Sequence, residues 1–240
     1  MSLDGRICVI TGAAGRIGRA IVERFQQEKA TVVAVDILSV SLPGVDNVIC
    51  DQGDPSSIQA LEQHLKQKYG RIDCLINNGA LGGYTCPIHE KPLEEYDDVM
   101  RVNVRGPFLL IQAALRLHLS NPSKELSIIN MASIAGHRPG AGNSVYSVSK
   151  HGLIGLTKAA ASEYGGQGVR CNSISPGMME VPNVQGISPE RFEKGAETIP
   201  LSRRGKPVEI AELAVFLASE KASYINGADY LGEHYCTQHD

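Results

Sequence analysis

Residues 7–18 read Ile7-Cys8-Val9-Ile10-Thr11-Gly12-Ala13-Ala14-Gly15-Arg16-Ile17-Gly18, and their order decides the fold. The unbroken apolar run at 7–10 predicts a strand covered on both faces. A glycine-rich turn follows at once, and residues 17–29 then form an amphipathic helical stretch. Glycines between a strand and a helix let backbone N–H groups approach a pyrophosphate at the positive helix end. A tight strand-to-helix turn without a ligand uses similar glycines, so the stretch speaks first to architecture.

The same alternation continues along the chain. Residues 31–35, 48–50, 74–76, 126–131 and 169–174 read as further strands buried on both faces, and 224–231 as a final one. Between them lie helical stretches at 93–119, 145–164 and 208–218, and one that starts at Asp54-Pro55, an N-cap residue followed by proline at the first helical position. Parallel strands need crossover connections, which helices supply. The expected fold is α/β: a doubly wound, Rossmann-type parallel sheet with helices on both faces, in a single domain over 1–240. The segment at about 178–200 is too short for a domain and is expected to be a substrate flap.

Composition narrows the function classes. Of 240 residues, 42% are hydrophobic and 20% charged, and the net charge is only −3, so nothing favours nucleic acid or an anionic membrane. The six cysteines form no C-x-x-C pair and the histidines lack ligand spacing, which argues against a disulfide framework or a metal site. No apolar run precedes the first strand and none is long enough to span a bilayer. A cytoplasmic protein acting on a small molecule is expected.

In the turn, Gly12, Ala14, Gly15, Arg16, Ile17 and Gly18 are the candidate phosphate-binding residues. Asp36 ends the second strand, eighteen residues beyond Gly18, where a carboxylate accepts hydrogen bonds from both ribose hydroxyls and repels a 2′-phosphate. This favours NAD(H). Arg16, which is placed to pair with a phosphate, keeps NADP(H) as the less favoured choice. Asp51 ends the third strand, where it either reaches the adenine or caps the next turn.

Tyr146-Ser147-Val148-Ser149-Lys150, Ser133 thirteen residues earlier, Asn77-Asn78-Gly79-Ala80, Asn103 and Pro176-Gly177 occur in an order that resembles the short-chain dehydrogenase/reductase family. The resemblance is to its compact single-domain branch and covers essentially the whole chain. It implies that Asn103, Ser133, Tyr146 and Lys150 are catalytic. It also implies that Asn78, Gly79, Tyr146, Lys150, Pro176, Gly177 and Val181 contact the cofactor, and that the protein is a homo-oligomer, tetramer or dimer. Several positions depart from the family pattern. Arg16 replaces the middle glycine of T-G-x-x-x-G-x-G, Gly79-Ala80 are in swapped order, and Val181 stands where a threonine is usual. Leu231-Gly232-Glu233-His234 stands where V-D-G-G is common.

Removing an alcohol proton while hydride leaves carbon calls for a base, and a phenol with a pKa near 10 is a weak one. Lys150 lies one helical turn from Tyr146. An ammonium about 4 Å away favours phenolate by up to ~4 kcal/mol at an effective dielectric near 20, so an acidified tyrosine is expected. Pro107 has no N–H to give the Asn103 carbonyl four residues back, which is expected to leave that carbonyl free for a water. Residues 81–84, His137 and 178–184 are the expected pocket wall, mostly apolar, suiting an apolar or cyclic secondary alcohol or ketone. Two other readings use the same fold: a non-redox enzyme (cyclase, dehydratase or isomerase) and an NAD(H)-sensing binding protein.

Overall fold

The computed structural model describes residues 2–40, 42–121, 125–180 and 199–232. Seven parallel strands form one sheet: β1 (Ile7–Thr11), β2 (Thr31–Asp36), β3 (Asp46–Ile49), β4 (Cys74–Asn77), β5 (Leu126–Met131), β6 (Val169–Ser175) and β7 (Asp229–Leu231). Their spatial order is β3-β2-β1-β4-β5-β6-β7, so the connection reverses direction between β1 and β4. A crevice opens there beyond the carboxyl ends of the strands.

The helices are α1 (Arg16–Gln27), α2 (Pro55–Lys68), α3 (Leu93–Met100), α4 (Gly106–Ser120), α5 (Ser144–Tyr164) and α6 (Pro207–Ala218). Alternate strand residues point to opposite faces. Cys8, Ile10, Ala34 and Ile174 therefore pack on Phe25 of α1 and Val215 of α6. Ile7, Val9, Val35 and Cys171 pack on Leu61 of α2, Leu110 of α4 and Ala161 of α5. Two cores, one on each side, make the sheet doubly wound. Asp54 caps α2 as its sequence predicts, accepting from the backbone N–H groups of Ser56 and Ser57 at 3.3 and 3.0 Å.

Three expectations change. The third strand was expected to be buried on both faces, yet β3 lies at the sheet edge and its residues alternate between half-buried and exposed. With no strand beyond it, the edge is covered only in part, and Ile49 is exposed. The last strand is three residues long, not eight, and Tyr224 before it stands in solvent. The helix expected over 93–119 widens into a π-turn at Arg101–Arg105, where the Gly106 N–H donates to the carbonyl of Arg101, five residues back. Pro107 explains this, because its ring clashes with an α-register carbonyl four residues earlier and one extra residue in the turn relieves the clash. Val181 and residues 181–198 of the expected flap lie outside the described residues, as do Glu233 and His234. Among the described residues no helix is long and apolar enough to cross a membrane.

Candidate active site

The site begins at the turn after β1. Gly12 has φ +63°, and a Cβ there would fall 2.6 Å from the Gly79 Cα. A Cβ at Gly18 would lie 2.1 Å from the Gly12 oxygen. Only glycine fits either position. The turn is tied to the end of β4 by Asn78, whose Nδ2 donates to the carbonyls of Thr11 (2.9 Å) and Gly12 (3.1 Å). In return Thr11 Oγ1 accepts from the backbone N–H groups of Asn78 and Gly79 at 3.1 and 3.0 Å. Gly15 is the N-cap of α1 and has no side chain to satisfy the first-turn amides, and Ala14, Gly15 and Arg16 are exposed. This is a cradle of open N–H donors at the positive end of a helix, and it fits a pyrophosphate.

Asp36 stands beside the cradle at the end of β2. Its Oδ2 accepts from the Ala14 N–H at 2.9 Å and its Oδ1 from the Leu38 N–H at 3.0 Å. Asp51 accepts from the Gly53 N–H at 2.8 Å and pairs with Arg101 at 2.8 Å. Asp51 thus caps the turn that follows β3.

On the other side of the crevice, Ser133 follows β5 in extended backbone, its Oγ accepting from the Ala135 N–H at 3.1 Å, and it lines the same cavity as the Tyr146 phenol. Tyr146 and Lys150 lie one turn apart on α5. Lys150 is 3% exposed, donates to the Met131 carbonyl at 2.7 Å and holds Nζ 5.4 Å from the centre of the Tyr146 ring. Burial lowers the Lys150 pKa to about 8. Burial also pushes the Tyr146 phenol up, against a smaller downward pull from Ser133. The acidified tyrosine expected from the sequence is therefore not what this geometry gives. The ammonium lies over the ring and on a β5 carbonyl, and desolvation governs both groups.

Asn103 sits in the π-turn with its side chain 1% exposed. Its Oδ1 accepts from the Leu81 N–H and its Nδ2 donates to the Leu81 carbonyl, both at 2.8 Å. Nδ2 also donates to Ser149 Oγ at 3.1 Å, linking the loop after β4 to α5. Ser133, Tyr146, Lys150, Pro176 and Gly177 share the wall of one cavity of about 330 Å³, which Ile17 and Asn78 close on the cradle side. The phosphate turn and the hydroxyl pair thus face a common space.

A scan against protein families matches residues 12–232 to the family described as enoyl-(acyl carrier protein) reductase. A 3-oxoacyl-[acyl-carrier-protein] reductase of Thermotoga maritima is 37% identical over 238 residues, covering 95% of this chain and 96% of its own. The chain belongs to the short-chain dehydrogenase/reductase family. Among solved structures of the family, a levodione reductase superimposes with a TM-score of 0.90 at 29% identity, covering 96% of each chain. A 3-ketoacyl-(acyl-carrier-protein) reductase from Brucella melitensis, solved with NADH, gives 0.88 at 30% identity, covering 96% of this chain and 97% of its own.

The departures from the family pattern now have places. Arg16, which replaces a family glycine, is the first residue of α1, and its side chain is exposed. The Gly79-Ala80 order has a partner that sequence reasoning missed. Gln52, 7% exposed, donates from Nε2 to the carbonyls of Gly79 (2.8 Å) and Val102 (2.9 Å). A Cβ on Gly79 would fall 2.3 Å from Gln52 Oε1, so the glycine makes room for the glutamine. The signal was the swapped pair itself, but nothing local points from residue 79 to residue 52. His137, expected in the pocket wall, instead holds Asp229 at 2.7 Å. Of the other expected wall residues, Met178 and Met179 line the cavity, while 81–84 do not; their neighbour Ala80 does.

Proposed function

We propose that this short-chain dehydrogenase/reductase is NAD(H)-dependent and moves hydride between the nicotinamide and the carbon of a secondary alcohol or ketone, with a substrate that is apolar or cyclic. The observation that carries this is the convergence of Ser133, Tyr146 and Lys150 on one cavity, opposite a glycine cradle that a single Cβ would fill. Asp36 beside that cradle supports NAD(H), since a carboxylate there accepts from ribose hydroxyls and repels a 2′-phosphate. Met131, Met178 and Met179 give the cavity an apolar lining suited to an apolar substrate. Exposed Phe108 and Val148, on α4 and α5, support a homo-oligomer, dimer or tetramer, and a cytoplasmic location completes the reading.

Gly12, Gly15, Gly18 and the first-turn amides of α1 would hold the pyrophosphate, Asp36 the adenine-side ribose, and Lys150 the nicotinamide-side ribose. When bound, the nicotinamide supplies the hydride acceptor or donor. Ser133 orients the substrate oxygen by hydrogen bonding. Tyr146 gives its phenolic proton to that oxygen during reduction and takes it back during oxidation. Lys150 sets the electrostatics of the phenol, and Asn103 fixes the loop after β4 against α5. NADH oxidation with a panel of cyclic and linear ketones tests this. Wild-type turnover should be lost by about 100-fold or more in Tyr146→Phe while NADH binding persists. A clear preference for NADPH, or full activity in Tyr146→Phe, would overturn it.

A further inference from the structure

A hydroxyl has one proton to give, so the backbone that carries it decides what it can hold. Ser133 Oγ accepts from the Ala135 N–H at 3.1 Å, which occupies a lone pair and leaves the hydroxyl's own proton to be given. The serine opens a tight turn that closes at His137. The Gly136 N–H donates to the Ser133 carbonyl at 2.8 Å, and the His137 N–H to the Ile134 carbonyl at 3.0 Å. Two neighbours hold the middle of this turn. The Ile134 N–H donates to the Pro176 carbonyl at 3.1 Å, tying it to the loop after β6. A Cβ on Gly136 would fall 2.8 Å from Ile154 Cδ1 and 3.1 Å from the Lys150 carbonyl oxygen, so the turn also lies tight against α5.

The end of the turn is held by a side chain. His137 Nε2 lies 2.7 Å from Asp229 Oδ2 in β7, and because a carboxylate only accepts, the imidazole donates. That carboxylate is itself fixed. Ser173 donates to Oδ1, and Ser175 Oγ lies 3.0 Å from both oxygens. Both serines are wholly buried and the Asp229 side chain is 9% exposed. A carboxylate gripped by two buried hydroxyls is an immobile anchor, and a hydrogen bond to it has one direction. We propose that His137 is a positioning residue for Ser133: its bond to Asp229 holds the far end of the turn and so fixes how the serine hydroxyl meets the substrate oxygen. This rests on the reading above of Ser133 as the residue that orients that oxygen.

The test is a double-mutant cycle in kcat, using NADH and the ketone that the wild type turns over fastest, with NADH affinity measured by calorimetry. His137→Ala should lower kcat about 10- to 100-fold, the scale of a ~1 Å misplacement of a positioning group, while the NADH Kd stays within about twofold. Glutamine can still donate to Asp229, so His137→Gln should return kcat to within about threefold of wild type. In a Ser133→Ala background there is no hydroxyl left to aim, so adding His137→Ala should cost less than about twofold. Asp229→Asn keeps the shape of the anchor without its charge; it should show the same pattern more weakly, and it serves if the alanine variant does not fold. Losses that multiply across residues 133 and 137, a fall in NADH affinity that matches the fall in kcat, or an unchanged kcat in both His137→Ala and Asp229→Asn would overturn the assignment. Full activity in Ser133→Ala alone would instead sink the reading of Ser133 on which it rests.

Discussion

Gly79→Ala restores the residue usual in the family at that position, and the structure says it should destabilise this chain. The new Cβ would meet Gln52 Oε1 at 2.3 Å and Cδ at 3.0 Å. The glutamine has to move, and its two hydrogen bonds, to the carbonyls of Gly79 and Val102, go with it. Two buried hydrogen bonds at ~1 kcal/mol each, plus residual crowding, put the cost at about 2–3 kcal/mol. For a chain of this length that is a fall in Tm of roughly 4–12 °C. In a Gln52→Ala background the clash and both bonds are already gone, so adding Gly79→Ala should cost less than ~0.5 kcal/mol and gain a little from a stiffer unfolded chain. The contact with the Gly12 nitrogen at 3.3 Å is common to both backgrounds and cancels. Urea unfolding of the four proteins closes a double-mutant cycle with an expected coupling of about 2 kcal/mol. Additivity within ~0.5 kcal/mol would refute the pairing of residues 52 and 79.

Asp36→Ser should raise kcat/KM for NADP(H) about tenfold or more by removing a like charge, with Arg16 exposed nearby to meet the phosphate; an unchanged cofactor ratio would remove Asp36 from the ribose site. Burial raises the pKa of Asp46, but hydrogen bonds from His64, Lys68 and Tyr69 outweigh it and hold the carboxyl below its ordinary 3.8. Its stabilisation is therefore present above pH 4 and lost as pH falls below that, so the stability gap between wild type and Asp46→Asn should shrink from pH 7 to pH 3, and a constant gap would count against the cluster. Lys150, lowered from 10.5 to about 8, binds fewer protons folded than unfolded across that interval. Wild-type stability relative to Lys150→Met should therefore rise by roughly 3 kcal/mol between pH 7 and pH 11, and a flat difference would mean the amine titrates normally.

Most of the fold was legible because burial on two faces writes itself into sequence as unbroken apolar runs, as at Ile7–Thr11 and Leu126–Met131. The edge strand β3 reads the same way over its few residues, and only the absence of a neighbour leaves Ile49 exposed. That Ser133, Tyr146 and Lys150 stand together was expected from the family resemblance, and one helical turn accounts for the Tyr146–Lys150 pair. Pro107 announced a disturbance, but whether a helix stops or widens depends on what packs against it, and here Asn103 holds the turn to Leu81 and Ser149. Gln52 and the His137–Asp229 pair were not legible. Each takes its meaning from residues 27 to 92 positions away, which no local pattern describes.

The ionisation of the site turns on a competition that sequence alone can state only in part. Attraction between a phenolate and an ammonium about 4 Å apart is worth up to ~4 kcal/mol at an effective dielectric near 20. Burying the ammonium costs a comparable amount: moving Lys150 from 10.5 to about 8 corresponds to roughly 3 kcal/mol. The phenol pays the same kind of penalty, and its pKa rises. Because the amine lies over the ring and is held by the Met131 carbonyl, the attraction does not overcome the desolvation of both partners. At neutral pH the site therefore holds a neutral phenol beside an ammonium, which is the protonation state that donates a proton to a carbonyl oxygen. On the proposed mechanism, reduction starts from the resting state. Oxidation would have to remove the phenolic proton first, so its rate should climb with pH until Lys150 loses the charge that makes the phenolate tolerable.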